Sequence, residues 1–140
     1  MSHATLLIAH GSRRAEANAD LYALAEQIRQ SPPGGVSHVD VGFLELTPPT
    51  IPEGFAACVA AGATSVRIVP YFLSMGVHMK EDLGELCEQF ARDYPDVAIS
   101  VAPPLGLDPR VVDVIRQRCE VESTSDESAT PATITEAAAP

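Results

Sequence analysis

Three side chains of the sequence combine a chemically useful type with a position just after an apolar segment. They are His10, Glu45 and His78, and both histidines have a glycine close by. Two imidazoles and one carboxylate can bind a divalent transition-metal ion and leave coordination positions open. A neutral imidazole can also accept a proton near pH 7. This set of residues therefore suits a reaction in which protons are exchanged for a metal ion.

The segments that must position these residues alternate between strand-like and helix-like periodicity, which is typical of a parallel sheet. Strands are predicted over residues 4–10, 36–46, 65–72 and 97–102. A helix is predicted after each strand, and the second opens on Thr50-Ile51-Pro52-Glu53, which fits a capping box. We therefore predict an α/β fold with an open, mostly parallel four-stranded sheet and helices on both faces, equivalent to half of a flavodoxin-like fold.

The predicted strand order brings the three side chains together. Ligand sites in open parallel sheets lie beyond the carboxyl ends of the strands, where the strand order reverses. Right-handed crossovers that leave the first strand in both directions would place the second and third strands on either side of it. His10, Glu45 and His78 are then expected to converge at one edge of the sheet.

The charge of the chain is unevenly distributed. The 140 residues are enough for one domain and too few for two well-filled cores. Five of the 19 acidic residues lie in residues 120–140, which contain no Lys or Arg and are otherwise rich in Ser, Thr, Ala and Pro. We therefore predict one domain over residues 1–119 and a disordered acidic tail over residues 120–140.

Composition also excludes several kinds of partner. A net charge of −10 without a basic stripe disfavours binding to nucleic acid. The apolar run at residues 6–9 is far shorter than the roughly 18 residues that cross a bilayer, and no signal segment is visible. We therefore expect a cytoplasmic protein without membrane contact. The three scattered cysteines form neither a disulfide framework nor a paired thiolate site, and we expect them to be core residues.

Three stretches occur in order, and each coincides with a predicted strand end. They are Leu7-Ile8-Ala9-His10-Gly11-Ser12-Arg13, then Gly42-Phe43-Leu44-Glu45, and finally Val69-Pro70-Tyr71-Phe72-Leu73-Ser74-Met75-Gly76-Val77-His78, with Asp82 after it. Over residues 4 to about 119 the chain resembles the sirohydrochlorin chelatases, the short class II chelatases. The resemblance implies a chelatase-like fold. It also implies ATP-independent insertion of Co²⁺ or Fe²⁺, or of Ni²⁺ as in some archaeal members, into sirohydrochlorin for siroheme or cobalamin biosynthesis.

The same resemblance assigns roles to individual residues. His10 and His78 would bind the metal ion and accept protons, and Glu45 would assist them. The metal ion is then a substrate, and no permanently bound cofactor is expected. The remaining substrate-binding residues would hold the tetrapyrrole, with the cationic ones facing its carboxylates: Gly11, Ser12, Arg13, Arg14, Ser74, Met75, Gly76 and Lys80.

The resemblance also implies a partner. Longer members of the family contain two α/β halves in one chain, whereas this sequence has one. By likeness to the single-unit members we expect a homodimer, in which two subunits replace the two halves. The sequence has neither the His-rich tract nor the cysteine cluster that some cobalt-inserting relatives carry, and it leaves the identity of the metal open.

Other interpretations of these residues stay open from sequence alone. His10 and Glu45 can serve structural purposes at strand ends, and Arg13 and Arg14 can form a solvated first helical turn. A non-catalytic carrier of a metal or a tetrapyrrole would use the same ligands as an enzyme. An enzyme with a phosphate-accepting histidine nucleophile would need an arginine directly before that histidine. The residue there is Ala9, which disfavours such an enzyme.

Overall fold

The computed structural model describes residues 2–121 and shows four strands that alternate with four helices. In chain order these are β1 (His3–Ala9), α1 (Ala15–Gln30), β2 (Val36–Phe43), α2 (Ile51–Ala60), β3 (Ser65–Pro70), α3 (Val77–Asp93), β4 (Ala98–Val101) and α4 (Pro109–Cys119). All neighbouring strands pair in parallel, in the order β2-β1-β3-β4. The predicted fold class and the central position of the first strand are confirmed. Within residues 2–121, no helix is long and apolar enough to cross a membrane.

The strand order reverses at β1. From β1 the chain crosses to β2 on one side, and from β2 it crosses back to β3 on the other side of β1. The consecutive residues Leu6, Leu7 and Ile8 of β1 are all buried, which is expected of a central strand covered on both faces. The crevice between the carboxyl ends of β1 and β3 is therefore the switch point, where open α/β sheets bind ligands.

Two apolar clusters cover the two faces of the sheet. On one face, Leu6 and Ile8 pack against α2 and α3, where the rings of Phe55 and Phe90 stack with centroids 4.1 Å apart. On the other face, alternate residues of β1 and β2 pack against α1, and this cluster contains Leu7, Leu21, Ala25, Val39, Val41 and Phe43. Both clusters fix β1 and the residues that follow it.

The connection from β2 to α2 is longer than the sequence pattern predicted. The strand ends at Phe43 rather than at Leu46, because the Phe43 amide donates to the Pro49 carbonyl oxygen at 2.8 Å and the chain turns back between them. The predicted capping box is confirmed: Thr50 Oγ1 accepts from the Glu53 amide at 3.2 Å, and Glu53 Oε1 accepts from the Thr50 amide. The third strand likewise ends earlier than expected, at Pro70 rather than at Phe72. Glu45 therefore lies in a loop rather than in a strand.

The last helix, α4, leaves its apolar side exposed. Asp108 caps it, and the Arg110 guanidinium and amide together lower the pKa of this carboxyl to about 2. Within the described residues, α4 contributes no buried side chain. Leu107 before the helix is 89% exposed, and Ile115 within it is 55% exposed. Most of the predicted tail, residues 122–140, lies outside the described residues.

Candidate active site

The loops that follow the strands, residues 10–14, 44–49 and 71–76, form the rim of the sheet. On one side of the rim, the pairing between β1 and β2 continues past the strand ends. The Leu44 amide donates to the Ala9 carbonyl oxygen at 2.9 Å, and the Glu45 amide donates to the His10 carbonyl oxygen at 3.0 Å. The structure therefore holds the backbones of His10 and Glu45 side by side, as the strand order predicted.

The close contact between the His10 and Glu45 backbones requires a glycine at position 11. Its φ is +93°, and a β-carbon built on it would lie 1.9 Å from the Glu45 carbonyl oxygen. A side chain at position 11 would therefore displace the Glu45 backbone. The glycine expected to let a macrocycle approach the backbone thus has a second purpose, which is to let the two rim loops touch.

The residues after Gly11 are tied to the start of α1. The Ser12 amide donates to Asn18 Oδ1 at 2.8 Å, and Asn18 Nδ2 donates to the Ser12 carbonyl oxygen at 2.7 Å. Ser12 Oγ accepts from the amide of Arg14, which occupies the N-cap position of the helix. The side chains of Arg13 and Arg14 are exposed beside His10 and are free to meet an anionic ligand.

The His10 ring is exposed but oriented by a neighbour. Its centroid lies 4.5 Å from that of Phe72, with the two planes inclined by 39°. Phe72 is itself buried, and the chain just before it is tied to β1 through the Tyr71 amide, which donates to the Ile8 carbonyl oxygen at 2.8 Å. One face of the imidazole is thus supported while its nitrogen atoms stay accessible to a ligand.

Glu45 is followed by a strained residue. Leu46 has a φ of +69°, a left-handed conformation that costs a non-glycine residue roughly 1–2 kcal/mol. Such conformations occur often at functional sites, where the surrounding structure imposes them. Here the pairing of Glu45 with His10 and of Phe43 with Pro49 imposes it, which fixes the backbone of Glu45 at the rim and leaves its side chain exposed.

The other side of the rim carries His78, the second residue of α3. The helix begins after Gly76, and His78 is exposed. A β-carbon on Gly76 would have no atom within 4 Å, and its φ of −72° suits any residue. The predicted use of Gly76 for close approach of a ligand is therefore compatible with open space around it. His78 lies across the switch point from Glu45.

Two shallow apolar grooves flank this side of the rim. Ser74 lies in a groove of about 370 Å³ that Leu73 and Leu107 form with α4. Met75 and Lys80 lie in a second groove of about 270 Å³, beside Leu83, Gly84, Cys87 and Val101. Burial raises the pKa of the Cys87 thiol, which keeps it protonated in this apolar setting. The expected substrate-binding residues after β3 therefore adjoin apolar surface on which a flat macrocycle can rest.

The three expected metal-binding and catalytic side chains are not yet gathered into one coordination sphere. Among the described residues, the ligand atoms of His10, Glu45 and His78 do not all lie within 4.8 Å of one another. The structure joins His10 to Glu45 through the backbone and places His78 on a separate element. The roles of these residues stay predictions.

A different group of side chains does lie this close together, and no role was predicted for it. His38 and Asp40 on β2 and Cys58 on α2 place their ligand atoms within 4.8 Å of one another. Burial and, to a lesser extent, the nearby Asp40 carboxylate together raise the pKa of the Cys58 thiol to about 12. His38 was expected at the surface, but its ring bonds Asp40 Oδ2 at 2.9 Å and is only one-third exposed. The two-residue period of a strand was the signal that put His38 and Asp40 on one face.

The sheet is open, parallel and doubly wound, and a histidine lies at the crevice where the strand order reverses. Proteins of this α/β class bind their ligands at the carboxyl edge of the sheet. The family model described as CbiX matches residues 4–122, and the chain belongs to this family. The resemblance to the sirohydrochlorin chelatases is thereby confirmed at the level of the family.

Individual relatives agree with this assignment. The sirohydrochlorin ferrochelatase of Bacillus subtilis is 38% identical over 123 residues, which cover 84% of this chain and 44% of that protein. The sirohydrochlorin cobaltochelatase of Sulfolobus acidocaldarius is 32% identical over 124 residues, covering 86% of this chain and 95% of that protein. The solved structure of SirB from Bacillus subtilis with Fe³⁺ superposes with a TM-score of 0.76 at 38% identity, over 84% of this chain and 46% of that one. The chain therefore spans about half the length of the Bacillus protein and nearly all of the archaeal one.

Proposed function

We propose that this chain inserts a divalent metal ion into sirohydrochlorin without ATP. The observation that carries the proposal is the junction at the rim, where Glu45 is hydrogen-bonded to the backbone of His10 at the switch point of a CbiX-family fold. The names of the relatives, which are ferrochelatases and cobaltochelatases of sirohydrochlorin, support the same reaction.

The reaction needs three things that the rim residues can supply. Two pyrrole protons must leave the macrocycle, water must leave the metal ion, and the ring must deform. His10 and His78 supply neutral imidazoles that replace water on the ion and accept the pyrrole protons. Glu45 supplies negative charge that attracts the dication and stabilises an imidazolium formed beside it.

The charge around the rim suits the macrocycle. Sirohydrochlorin is a polycarboxylate, and an acidic protein needs local cations to bind it. Arg13, Arg14 and Lys80 are exposed near the two histidines and would pair with these carboxylates. Both α1 and α3 begin at the rim, and their first amides favour carboxylates as well. Ser74 and Met75 would then contact the ring from the apolar grooves.

The metal used in the cell is iron or cobalt in this proposal, with nickel as the alternative. Two imidazoles and a carboxylate bind Fe²⁺, Co²⁺ and Ni²⁺ with affinity that rises in that order. Availability rather than the ligand set then decides which ion is inserted. The relatives carry the names of both iron and cobalt enzymes.

A homodimer is part of the proposal, because a single rim is too open to enclose a tetrapyrrole. The apolar residues Leu73, Leu107 and Ile115 are more than half exposed and lie on one face, formed by α4 and the loop after β3. A second copy that covers this face would bury it and close the rim from that side. We propose that residues 1–119 of each subunit form this unit.

An anaerobic absorbance assay tests the activity. The purified full chain is mixed with sirohydrochlorin in excess and with Fe²⁺, Co²⁺ or Ni²⁺ in turn, and the change in the macrocycle spectrum is followed over many turnovers. We expect the specificity constant for one ion to stand well above the uncatalysed rate. A single stoichiometric spectral change without turnover would instead show a carrier of metal or tetrapyrrole.

Sedimentation tests the dimer independently of activity. Ile115→Glu places a charge on the exposed face of α4 and should convert the dimer into a monomer of about half the mass. Ala23→Glu adds the same charge to an exposed position of α1 and is the matched control. A wild-type protein that sediments as a fully active monomer at micromolar concentration would refute the dimer.

A further inference from the structure

A second group of metal-binding side chains lies away from the rim, where β2 meets α2. His38 and Asp40 are two residues apart on β2 and share one face of the strand, and Cys58 approaches them from α2. We propose that these three side chains form a binding site for a divalent transition-metal ion, separate from the rim. The proposed chelatase activity assigns no role to any of them.

The spacing of the three groups is close to that of a coordination sphere. Their ligand atoms lie within 4.8 Å of one another, and His38 Nε2 is 2.9 Å from Asp40 Oδ2. A tetrahedral ion with bonds of about 2.0–2.3 Å separates its ligand atoms by roughly 3.3–3.8 Å. The imidazole and the carboxylate need to part by less than an ångström or so, and the thiol needs a similar approach. Rotations of the two β2 side chains can provide both movements.

Burial gives the site one closed side and one open side. Cys58 is fully buried, whereas the side chains of His38 and Asp40 are 33% and 26% exposed. β2 is an edge strand, so an ion can reach the pair from solvent without opening the core. Water can complete the coordination on the exposed side, as it does where a protein supplies three ligands.

The chemistry of the three ligands selects the kind of ion. Imidazole and thiolate favour Zn²⁺, Co²⁺ and Fe²⁺ over Mg²⁺ and Ca²⁺, which prefer oxygen ligands. On binding, the Cys58 S–H bond breaks, the sulfur–metal bond forms, and the proton passes to solvent. The thiolate and the Asp40 carboxylate then carry two negative charges, which balance the charge of the dication in this half-buried place.

This site cannot share an ion with the rim. At about 3.3 Å per residue, Asp40 lies roughly 10 Å before the end of β2 at Phe43, and Glu45 lies beyond that end. An ion at His38, Asp40 and Cys58 would instead link α2 to the edge strand. Because the unfolded chain does not hold the three ligands together, such an ion would stabilise the fold.

A titration of the metal-free full chain with Co²⁺, under anaerobic and reducing conditions, tests the proposal. Thiolate-bound Co²⁺ absorbs in the near ultraviolet through sulfur-to-metal charge transfer, which nitrogen and oxygen ligands do not produce. Because the rim is also proposed to bind Co²⁺, we expect up to two equivalents per chain to bind and one of them to produce this absorption. Cys58→Ala should abolish it, and Asp40→Asn should weaken binding by at least about tenfold. Asp40→Asn leaves the core intact, so the test stands even if Cys58→Ala fails to fold.

Matched variants separate this site from the rim and from the other thiols. Cys87→Ser combined with Cys119→Ser removes the remaining cysteines and should keep the absorption, and so should His10→Ala. No absorption at saturating Co²⁺ in the wild type, persistence in Cys58→Ala, or loss in the double-serine variant would each overturn the proposal. As a second readout, Zn²⁺ should raise the midpoint of thermal unfolding in His10→Ala more than in His10→Ala combined with Asp40→Asn, a pair of variants in which the rim is weakened equally. A wild-type midpoint that does not respond to Zn²⁺ would count against the site.

Discussion

The two sides of the rim are built differently. On the β2 side, backbone hydrogen bonds join His10 to Glu45, and Gly11 fits against the Glu45 carbonyl with no room for a side chain. On the β3 side, His78 stands in the first turn of α3, behind Gly76, which has open space around it. The first side is fixed by the sheet itself, and the second depends on how a loop and a helix start are placed. The half of the site that contains His10 and Glu45 is therefore preorganised, whereas the half that contains His78 is adjustable.

A preorganised half and an adjustable half suit a ligand that must enter and leave. A metal ion can be taken up first by the fixed pair, His10 and Glu45, where little rearrangement is needed. In the proposed reaction, His78 would complete the site when the macrocycle occupies the crevice.

The largest effect is expected from the histidines on the two sides. His10→Ala and His78→Ala each remove a metal ligand and a base together, so each should lower the rate of metal insertion by at least about 10²- to 10⁴-fold. Steady-state insertion into sirohydrochlorin measures this, with sedimentation and circular dichroism as checks on dimerisation and folding. His3→Ala removes an exposed histidine at the opposite end of β1 and should leave the rate unchanged.

The two histidine variants also test whether the two sides of the rim differ in preorganisation. Binding of Co²⁺ in the absence of macrocycle should be weakened more by His10→Ala than by His78→Ala, because His10 belongs to the fixed pair. Equal weakening would mean that both sides are organised before the macrocycle arrives. A His10→Ala protein that inserts metal within a few-fold of wild type would show that the strand-end histidine is structural.

The next largest effect, on stability and on the insertion rate, is expected from replacing Gly11. Gly11→Ala forces a side chain against the Glu45 carbonyl at a φ of +93°, so it should lower the free energy of unfolding by roughly 1–3 kcal/mol. Because it also displaces Glu45, the insertion rate should fall by about 10²-fold. Gly76→Ala is the matched control for stability on the other side, and its open surroundings predict a change in the free energy of unfolding of less than about 0.5 kcal/mol. Denaturant unfolding and the insertion assay measure both quantities, and similar losses of stability in the two variants would contradict the difference between the sides.

The two sides of the rim also differ in how well their residues could be placed from the sequence. The positions of His10 and Glu45 could be predicted because strand order and parallel pairing determine them, and both rules act on the sequence pattern alone. The exact end of β2 could not, because it depends on the bond between Phe43 and Pro49 across a loop with no periodicity. The placement of His78 relative to His10 depends on the loop after β3, which is held by hydrogen bonds from the loop before α4, where the Leu105 and Gly106 amides donate to the chain after β3, rather than by local pattern.

The group at β2 and α2 escaped prediction for a related reason. A period of two places His38 and Asp40 on one face, but which turn of α2 covers that face is a packing result. Of the three cysteines expected in the core, Cys58 is buried, Cys87 is half-buried and Cys119 is exposed, so the expectation was wrong for Cys119. Nothing in the sequence around Cys58 indicates that it meets two polar side chains. A sequence pattern shows which residues share one face of a strand or helix. Contacts between residues of different elements can be found only in the structure.

A smaller effect is expected from the carboxylate of the fixed side. Glu45→Gln keeps the size of the side chain and the backbone bond to His10 but removes the negative charge. The insertion rate should therefore fall by about tenfold, less than in His10→Ala. Glu45→Asp keeps the charge on a shorter side chain and should recover part of the loss. A rate in Glu45→Gln as low as in His10→Ala would mean that the carboxylate is itself an essential ligand or base.

The smallest effect is expected from removing residues 120–140. If both sides of the rim are complete within the domain, this segment supplies no ligand, and its composition offers few apolar side chains with which to pack against the body. Insertion rate and thermal midpoint should each stay within about twofold and a few degrees of the full chain. A truncation that also removes α4 is the contrasting variant, because it takes away the exposed face proposed to join two subunits and should yield a monomer. A large loss of activity from the shorter truncation would show that residues 120–140 reach the rim, and the division into a fixed and an adjustable side would then need a third contributor.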